Sequence, residues 1–243
     1  MPRFYVRSLA ENLAALKRDV AQAAELGCDC AAFPEQFLTG YFGAGSPAEL
    51  RQEMARLSAA HPAMLMLFGT ISEDGVNRQC IYLDGQAVAS YDKVHLFLPN
   101  GEDRLWRRGD KYVALSHGDW RIGLLTCNDV RFPEQARALK LEYDVNMLWY
   151  PALWPWERDH VWAALLKSRA IENGCFVLGC CLAGLDNGQE LFDGAGCHVY
   201  DPLGDELHPA RRVYTLDTAL FERVTVDTRQ QYCEIPQTEL KKP

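Results

Sequence analysis

The sequence predicts a single α/β domain in which β-sheets are covered on their outer faces by α-helices. Apolar runs of strand length outnumber helical periodicities, and helices recur between groups of strands in both halves of the 243-residue chain. No repeat with a period of about 20–50 residues is present, and no Ser/Gly-rich linker divides the sequence. One domain is therefore the simplest interpretation.

The first half of the chain is predicted to contain two helices and four strands. The helices are predicted at residues 10–26 and 47–60. Gly27 ends the first helix, whereas Ser46 is the N-cap of the second and Pro47 its first residue. The strands are predicted at 30–33, 64–71, 79–83 and 86–91. Asp84-Gly85 indicates a hairpin between the last two strands, and the polar loop at 94–111 is long enough to suggest a function.

The second half follows the same pattern. Strands are predicted at 112–116, 120–126, 145–149, 175–181, 196–200 and 212–216. Helices are predicted at 133–141 and 157–173. Pro151–Pro155 is expected to be a rigid loop, and the tail from Val226 is expected to be extended.

Composition and charge exclude several classes of protein. The chain is 48% hydrophobic and 24% charged, which is typical of a globular domain and not of a disordered chain. Its net charge of −8 leaves no basic footprint, so we expect no nucleic-acid partner. No apolar run approaches the roughly 18 residues of a membrane span, and no signal-peptide pattern is visible, so we expect no membrane partner. The nine cysteines, mostly inside apolar runs, favour a reducing cytoplasm over a disulfide framework.

Two charged side chains follow apolar strands at the point where each strand ends. Glu35 comes directly after Pro34 in CAAFPEQFLTGY, an apolar and aromatic setting that suits a general base. A partly exposed glutamate after a strand is the alternative. Lys93 ends the strand AVASYDK, and a buried ammonium there would need a carboxylate partner. A surface lysine is the alternative.

Cys127 is the third side chain of this kind. It follows a strand in LLTCNDVRFPEQAR, and Pro133 begins a helix shortly afterwards. A strand-to-helix turn exposes a nucleophile and offers backbone N–H groups to an oxyanion. Because only the thiolate is a good nucleophile, a neighbouring base or cation is required. A buried structural cysteine is the alternative.

Further candidates are less specific. Glu102, in the long loop, is either a second functional carboxylate or a solvated one. Trp154 and Trp156 either line a pocket or pack in the core. The six histidines show no metal-ligand spacing, so we predict no metal site. Gly-x-Ser-x-Gly, P-loop and G-x-G-x-x-G motifs are missing, which argues against serine hydrolases and nucleotide-dependent enzymes.

Taken together and in this order, Glu35, Lys93 and Cys127 resemble the Glu-Lys-Cys triad of the carbon–nitrogen hydrolase (nitrilase) superfamily. The matching segments are FPEQFLTGY, YDKVHLF, NGEDRLWRRGD, LLTCNDVRFPEQAR and ALW…HVWAALLKSRAIENGCFVLGC, which together extend over about residues 20–230. The resemblance implies a four-layer α-β-β-α sandwich formed by a single domain, residues 1–243. It also implies a homodimer or larger homo-oligomer and no metal or organic cofactor.

The resemblance further implies a mechanism. Cys127 would attack the carbon of a small amide, while Glu35 takes up the thiol proton and later gives it to the departing ammonia. Lys93 and the backbone N–H of residue 128 would stabilise the oxyanion. Water activated by Glu35 would then release a carboxylic acid from the thioester on Cys127. Glu102 matches a second family glutamate that orients the substrate and the lysine.

The turn sequence CNDVRFPE looks most like that of omega-amidase-like enzymes, which cut primary amides such as 2-oxo dicarboxylic acid monoamides. Tyr41, Asn128, Arg131 and Trp154 are the expected substrate-binding residues. Asn128 stands where the family has an aromatic residue, which predicts a more polar pocket rim. Either Arg131 or the arginines of the 104–108 loop would contact a substrate carboxylate.

Other functions stay open at this point. N-carbamoyl compounds and nitriles are alternative substrates within the superfamily. A relative with little catalysis that binds a ligand or a partner protein would suit the acidic surface and the short first strand-to-helix connection. The nine cysteines alone would suit a thiol-redox or metal-sequestering protein.

Overall fold

The computed structural model describes residues 8–40, 45–186, 191–193, 196–225 and 227–231. Its helices are α1 (Leu9–Glu25), α2 (Pro47–Ala60), α3 (Pro133–Tyr143), α4 (Asp159–Asn173) and the single turn α5 (Thr228–Gln231). Its strands are β1 (Cys30–Ala32), β2 (Leu65–Glu73), β3 (Val76–Leu83), β4 (Gln86–Asp92), β5 (Val113–His117), β6 (Trp120–Leu124), β7 (Met147–Ala152), β8 (Phe176–Cys181), β9 (Ala183–Asp186), β10 (Leu191–Asp193), β11 (His198–Tyr200) and β12 (Glu206–Leu207). Within the described residues, no helix has the length and apolar character needed to cross a membrane.

The four long helices form where the apolar periodicity predicts them, and their ends follow from local capping. The Ser8 hydroxyl accepts the Glu11 N–H at the start of α1, and Ser46 caps α2, with Pro47 in its first turn. Gly174 ends α4 in a left-handed conformation, with φ of 57°. The predicted helices are therefore confirmed.

The first sheet has the strand order β1-β2-β3-β4. β1 runs parallel to β2, and the other neighbours are antiparallel. The hairpin between β3 and β4 turns at Asp84 and Gly85, both with positive φ (48° and 74°), as the Asp-Gly step predicts.

The second sheet has the order β12-β11-β8-β7-β6-β5. Its central strands β6, β7 and β8 are parallel, and α3 and α4 connect them in turn. The carboxyl ends of these strands lead into the 126–131 turn and the 153–158 segment. The separate pair β9–β10 was not predicted from the sequence.

Three apolar clusters show how the layers stack. The first packs α1 and α2 on the outer face of the first sheet, with Met54 near Phe68. The second packs α3 and α4 on the second sheet and includes the fully buried Leu166. The third lies between the sheets and contains Leu67 and Trp149. The layer order is α-β-β-α, so the expected sandwich is confirmed.

Two predictions about strands are wrong. Pro151 and Ala152 belong to β7 and pair with β8, although a loop was predicted there. The pairing of β6 with β7 ends at Trp149, so Pro151 lies beyond the end of β6. Proline has no backbone N–H, but at this position no hydrogen bond to β6 is required. No strand forms at 212–216, because Arg211 and Arg212 adopt positive φ (52° and 70°) and reverse the chain.

The prediction of an extended tail from Val226 is wrong for Thr228–Gln231, which form α5. Asp227 Oδ1 accepts the N–H groups of Arg229 and Gln230 (2.9 and 3.3 Å) and so caps this turn. Val226 itself and residues 232–243 lie outside the described residues.

Candidate active site

Cys127 lies in the turn between β6 and α3, where the sequence placed it. Its φ of 47° is a left-handed conformation that residues with a side chain rarely adopt. A short 3₁₀ turn, Cys127–Arg131, begins at this residue. Asp129 Oδ2 accepts the Thr126 N–H at 2.7 Å, which closes the turn around the strained residue. The Cys127 side chain is 5% exposed and lines a pocket.

Lys93 forms ion pairs with two carboxylates. Its Nζ donates to Glu35 Oε1 and to Glu102 Oε1, each at 2.9 Å. Glu35 and Lys93 are both 0% exposed, so neither is the surface residue considered as its alternative. Glu102 is 1% exposed and is not a solvated loop residue. The buried ammonium thus has the negative partners that its burial requires.

Three groups donate hydrogen bonds to Glu35: the Asn77 amide, the Lys93 ammonium and the Leu153 backbone N–H. Asn77 Nδ2 donates to Oε1 at 2.7 Å, beside the Lys93 bond, and the Leu153 N–H donates to Oε2 at 3.0 Å. Gln36 Nε2 in turn donates to Asn77 Oδ1 at 3.0 Å, which fixes the orientation of the Asn77 amide. Asn77 was missed in the sequence, where it is one of three consecutive polar residues of β3.

Glu102 connects the long 94–111 loop to this cluster. Its Oε2 accepts the Phe97 N–H at 2.8 Å while Oε1 faces Lys93. One carboxylate therefore both closes the loop and orients the ammonium. This part of the long loop lies against the Lys93 ammonium.

The charges around Cys127 determine its resting state. Burial raises the pKa of the Cys127 thiol well above its usual value; the charge of Glu35 raises it further, that of Lys93 opposes this, and the thiol hydrogen-bonds to Glu35. Burial lowers the pKa of Lys93, but Glu35, Cys127 and Glu102 outweigh that effect and raise it overall. The resting site therefore holds a protonated thiol beside a charged ammonium. We call Glu35, Lys93, Glu102 and Cys127 the Glu–Lys–Cys cluster.

The pocket beside Cys127 is formed by three segments of the chain. Its lining residues are Phe97, Asn100 and Glu102 from the long loop, Cys127, Asn128 and Arg131 from the 126–131 turn, and Leu153, Trp154, Pro155 and Arg158 from the segment after β7. Three of the four expected substrate-binding residues are among them, and the fourth, Tyr41, lies outside the described residues. Trp156 is 45% exposed and does not belong to this lining.

Asn128 does more than make the rim polar. Its Nδ2 donates to the carbonyls of His95 and Leu96 (3.1 and 3.3 Å), so it braces the chain that follows Lys93. Its Oδ1 is buried and has no hydrogen-bond partner among the described residues.

Two arginines face the pocket. The Arg131 guanidinium lies over the Trp154 ring at 4.8 Å from its centroid, and Arg158 lies over the Phe97 ring at 5.7 Å. Arg158 was missed in the sequence. Of the loop arginines, Arg108 lines an adjoining groove. Among the described residues, no group of three or more His, Cys, Asp or Glu side chains is placed to hold a metal ion.

Comparison with known proteins gives a consistent result. The carbon–nitrogen hydrolase family model matches residues 1–222. The chain is 33% identical over 205 residues to the omega-amidase YafV of Escherichia coli K12, covering 77% of this chain and 76% of that protein. It is 37% identical over 132 residues to the 2-oxoglutaramate amidase of Paenarthrobacter nicotinovorans, covering 52% of this chain and 44% of that one.

Two solved structures share the fold. Nit3 of Saccharomyces cerevisiae, a member of branch 10 of the nitrilase superfamily, has a TM-score of 0.78 at 21% identity. The match covers 93% of this chain and 92% of the Nit3 chain. A mutant of the amidase of Nesterenkonia sp. AN1 in complex with butyramide has a TM-score of 0.74 at 26% identity, and the match covers 82% of this chain and 80% of the amidase chain. By its sequence and by its fold, the chain belongs to the carbon–nitrogen hydrolase family of the nitrilase superfamily, and it is an amidase-type hydrolase similar to the omega-amidases.

Proposed function

We propose that the protein hydrolyses the terminal amide of a 2-oxo dicarboxylic acid monoamide through a thioester on Cys127. The observation that carries this proposal is the burial of Glu35, Lys93 and Cys127 in one site, where Lys93 bonds Glu35 at 2.9 Å and both charges act on the Cys127 thiol. Acyl transfer needs a nucleophile, a base and a donor to the oxyanion. The Glu–Lys–Cys cluster offers all three within one buried site.

In the first half-reaction, Glu35 takes the thiol proton as Cys127 Sγ attacks the amide carbon. The carbonyl oxygen becomes an oxyanion, and the Lys93 ammonium and the backbone N–H of Asn128 stabilise it. Glu35 then gives its proton to the amide nitrogen, and the C–N bond breaks to release ammonia. Because burial raises the pKa of the Cys127 thiol, the attack needs a base, and Glu35 is the group that supplies it.

In the second half-reaction, Glu35 removes a proton from a water molecule that attacks the thioester carbon. The C–S bond breaks, the carboxylic acid leaves, and the thiol regains its proton from Glu35. Glu35 thus acts as base and acid in both halves. Its bonds from Asn77 and the Leu153 N–H keep it in one orientation throughout.

The pocket supports an anionic substrate. Arg131 and Arg158 both line it, and a guanidinium binds a carboxylate through two parallel hydrogen bonds. Similarity to an omega-amidase and a 2-oxoglutaramate amidase points to the same chemistry. We assign the carboxylate contact to Arg131, with Trp154 against the carbon chain.

The test is ammonia release from 2-oxoglutaramate, butyramide, an N-carbamoyl amino acid and a nitrile. Wild type is compared with Cys127→Ala and with Cys28→Ala, a control cysteine in the turn after α1. We expect 2-oxoglutaramate to be the best substrate and Cys127→Ala to lose a factor on the order of 10⁶, as in a serine hydrolase that loses its nucleophile. Cys28→Ala should match wild type.

Each other result has a distinct meaning. Equal release by wild type and Cys127→Ala would rule out this nucleophile. Preference for the N-carbamoyl compound or the nitrile would assign the chain to another branch of the superfamily. No release from any substrate would favour a relative that only binds a ligand. A homo-oligomer, a cytoplasmic location and the lack of nucleic-acid and membrane partners stay predictions from the sequence.

A further inference from the structure

Three cysteines that the proposed reaction does not use lie together where β8 ends and β11 begins: Cys180, Cys181 and Cys197. The two strands are antiparallel, and His198 pairs with Gly179, so the same register places Cys197 opposite Cys180. Opposed residues of an antiparallel pair have Cα atoms roughly 4.5–5.5 Å apart. A disulfide accepts Cα separations of about 4.4–6.8 Å. The backbone therefore already holds this pair at bridging distance.

The thiols of the pair also act on each other: their interaction raises the pKa of Cys180 and lowers that of Cys197. Cys197 Sγ also accepts the Cys181 N–H at 3.3 Å and lies 3.4 Å from the Cys181 carbonyl oxygen. Both residues are partly exposed, whereas Cys181 is buried.

Cys181 is not part of the pair, because successive side chains of a strand point to opposite faces. Its thiol packs in the cluster beneath α4. There it donates to the Trp154 carbonyl at 3.3 Å and accepts the Trp154 N–H at 3.2 Å. Cys181 thus holds the backbone of Trp154, which lines the pocket, whereas Cys180 and Cys197 face each other as a pair.

We propose that Cys180 and Cys197 are a redox-active thiol pair that closes to a disulfide by exchange with a low-molecular-weight disulfide such as oxidised glutathione. The Cys197 thiolate attacks one sulfur of the small disulfide, forms a mixed disulfide and releases one small thiol. Cys180 then gives up its proton and attacks the Cys197 sulfur, which releases the second small thiol. Two protein thiols are oxidised, one small disulfide is reduced to two thiols, and the two protons pass to those thiols.

The order of the two steps follows from the surroundings of the two thiols. Cys197 Sγ accepts the Cys181 N–H at 3.3 Å, which stabilises a thiolate there. The interaction with Cys180 also lowers the pKa of Cys197 and raises that of Cys180, so Cys197 is the attacking thiolate and Cys180 resolves the mixed disulfide. The reverse order would require the thiol that holds its proton more tightly to react first.

The bridge would form next to the pocket. Cys180 Sγ lies 3.7 Å from the carbonyl oxygen of Ala32, the last residue of β1, which leads directly to Glu35. Cys197 bonds the backbone of Cys181, which holds Trp154. Oxidation removes both S–H donors, so the contacts to the Ala32 and Cys181 carbonyls are lost. We therefore expect the disulfide to lower the amidase rate reversibly.

The first experiment detects the bond itself and needs no activity. Full-length Cys127→Ala protein is equilibrated with mixtures of reduced and oxidised glutathione, its free thiols are alkylated, and its peptides are mapped by mass spectrometry. We expect a peptide pair linked through Cys180 and Cys197, lighter by two hydrogen atoms and cleaved by dithiothreitol. In the same background, Cys180→Ser should instead retain glutathione on Cys197. Free thiols at every ratio, or a link through Cys181, would overturn the proposal.

The second experiment tests the effect on the pocket and rests on the proposed function. Ammonia release by wild type and by Cys197→Ser is followed in oxidised glutathione and again after dithiothreitol. Wild type should lose more activity than Cys197→Ser and recover it on reduction. Equal losses in both would trace the effect to Cys127 and refute the coupling, while the peptide map would still decide whether the bridge forms.

Discussion

Asp129 Oδ2 accepts a hydrogen bond from the Tyr91 hydroxyl at 2.7 Å, and this bond ties the two sheets together behind the pocket. Tyr91 belongs to β4, which ends just before Lys93, and Asp129 belongs to the turn that carries Cys127. Asp129 also accepts the His95 N–H at 2.9 Å through its other oxygen. This carboxylate therefore sets the position of Cys127 relative to Lys93.

Asp129→Asn should misplace the thiol without altering the pocket lining. One acceptor oxygen becomes an NH₂ group that faces N–H and O–H donors, so the turn must shift. A displacement of about 1 Å at a reacting centre costs on the order of 10² in rate. We expect kcat for 2-oxoglutaramate to fall by about that factor while KM changes little. Tyr91→Phe, which removes only one of these bonds, should lose less; an Asp129→Asn protein with wild-type kcat would refute this role.

Glu102→Gln should change the reactivity of the thiol as well as the rate. The Glu102 charge is one cause of the raised pKa of Cys127, so its removal should lower that pKa. Alkylation by iodoacetamide should then become fast at lower pH than in wild type. Since the amide orients Lys93 less firmly than the carboxylate, we expect kcat to fall by about 10–100-fold, the equivalent of one hydrogen bond to a charged group. Asp103→Asn, at the exposed neighbouring position, is the control, and an unshifted alkylation profile would contradict the argument.

Arg131→Gln should separate anionic from neutral substrates. Loss of a charge-assisted contact costs about 1.5–3 kcal/mol, or roughly 10–100-fold in kcat/KM. We expect that loss for 2-oxoglutaramate, mainly in KM, and almost none for butyramide. Arg121→Gln, which pairs with Asp144 near α3, is the matched control. An equal loss for both substrates would mean that Arg131 supports the pocket and does not read the carboxylate.

His198 should make stability depend on pH. It bonds Glu206 at 2.6 Å and Asp159 at 3.0 Å, joining β12 to the start of α4. Burial lowers the pKa of His198, but these carboxylates outweigh it and raise the pKa above its usual value of about 6.5. The stabilisation is therefore fully present below about pH 6.5 and is lost as pH rises through the raised folded-state pKa.

The measurement is the Tm of wild type and of His198→Gln at a series of pH values, from below pH 6.5 to above the raised pKa of His198. The difference between them should be largest at low pH and should shrink as pH rises. His160→Gln, exposed on α4, should track wild type throughout. A difference that grew with pH would show that the imidazolium is not the stabilising form.

Local signals in the sequence were sufficient for most elements of the fold. Apolar periodicity, Pro47 and the Asp84-Gly85 step act on neighbouring residues, so the long helices and the first hairpin are found where predicted. Pro151 was misassigned because what permits proline in β7 is the earlier end of β6, which is distant in sequence. The reversal at 211–212 depends on positive φ at both arginines. Arginine does not favour that conformation, so the sequence does not predict it.

The same distinction applies to the site. Glu35, Lys93 and Cys127 each follow a strand and could be identified separately. The family resemblance then predicted that the three form one site. The groups that hold them were not visible: Asn77 meets Glu35 across 42 residues of chain, and Asp129 meets Tyr91 across 38. Both are amide or carboxylate groups whose role exists only once the sheets are stacked. Tyr41 stays a prediction.

The division of the Glu–Lys–Cys cluster between the sheets has a consequence for the nascent chain. Glu35 and Lys93 follow strands of the first sheet, and Cys127 follows a strand of the second. Until the inner faces dock, Cys127 lies apart from Glu35 and Lys93. A partly folded molecule therefore lacks the assembled cluster, which forms only with the docking that buries residues such as Leu67 and Trp149. Under the proposed mechanism, only a molecule with both sheets stacked can turn over substrate.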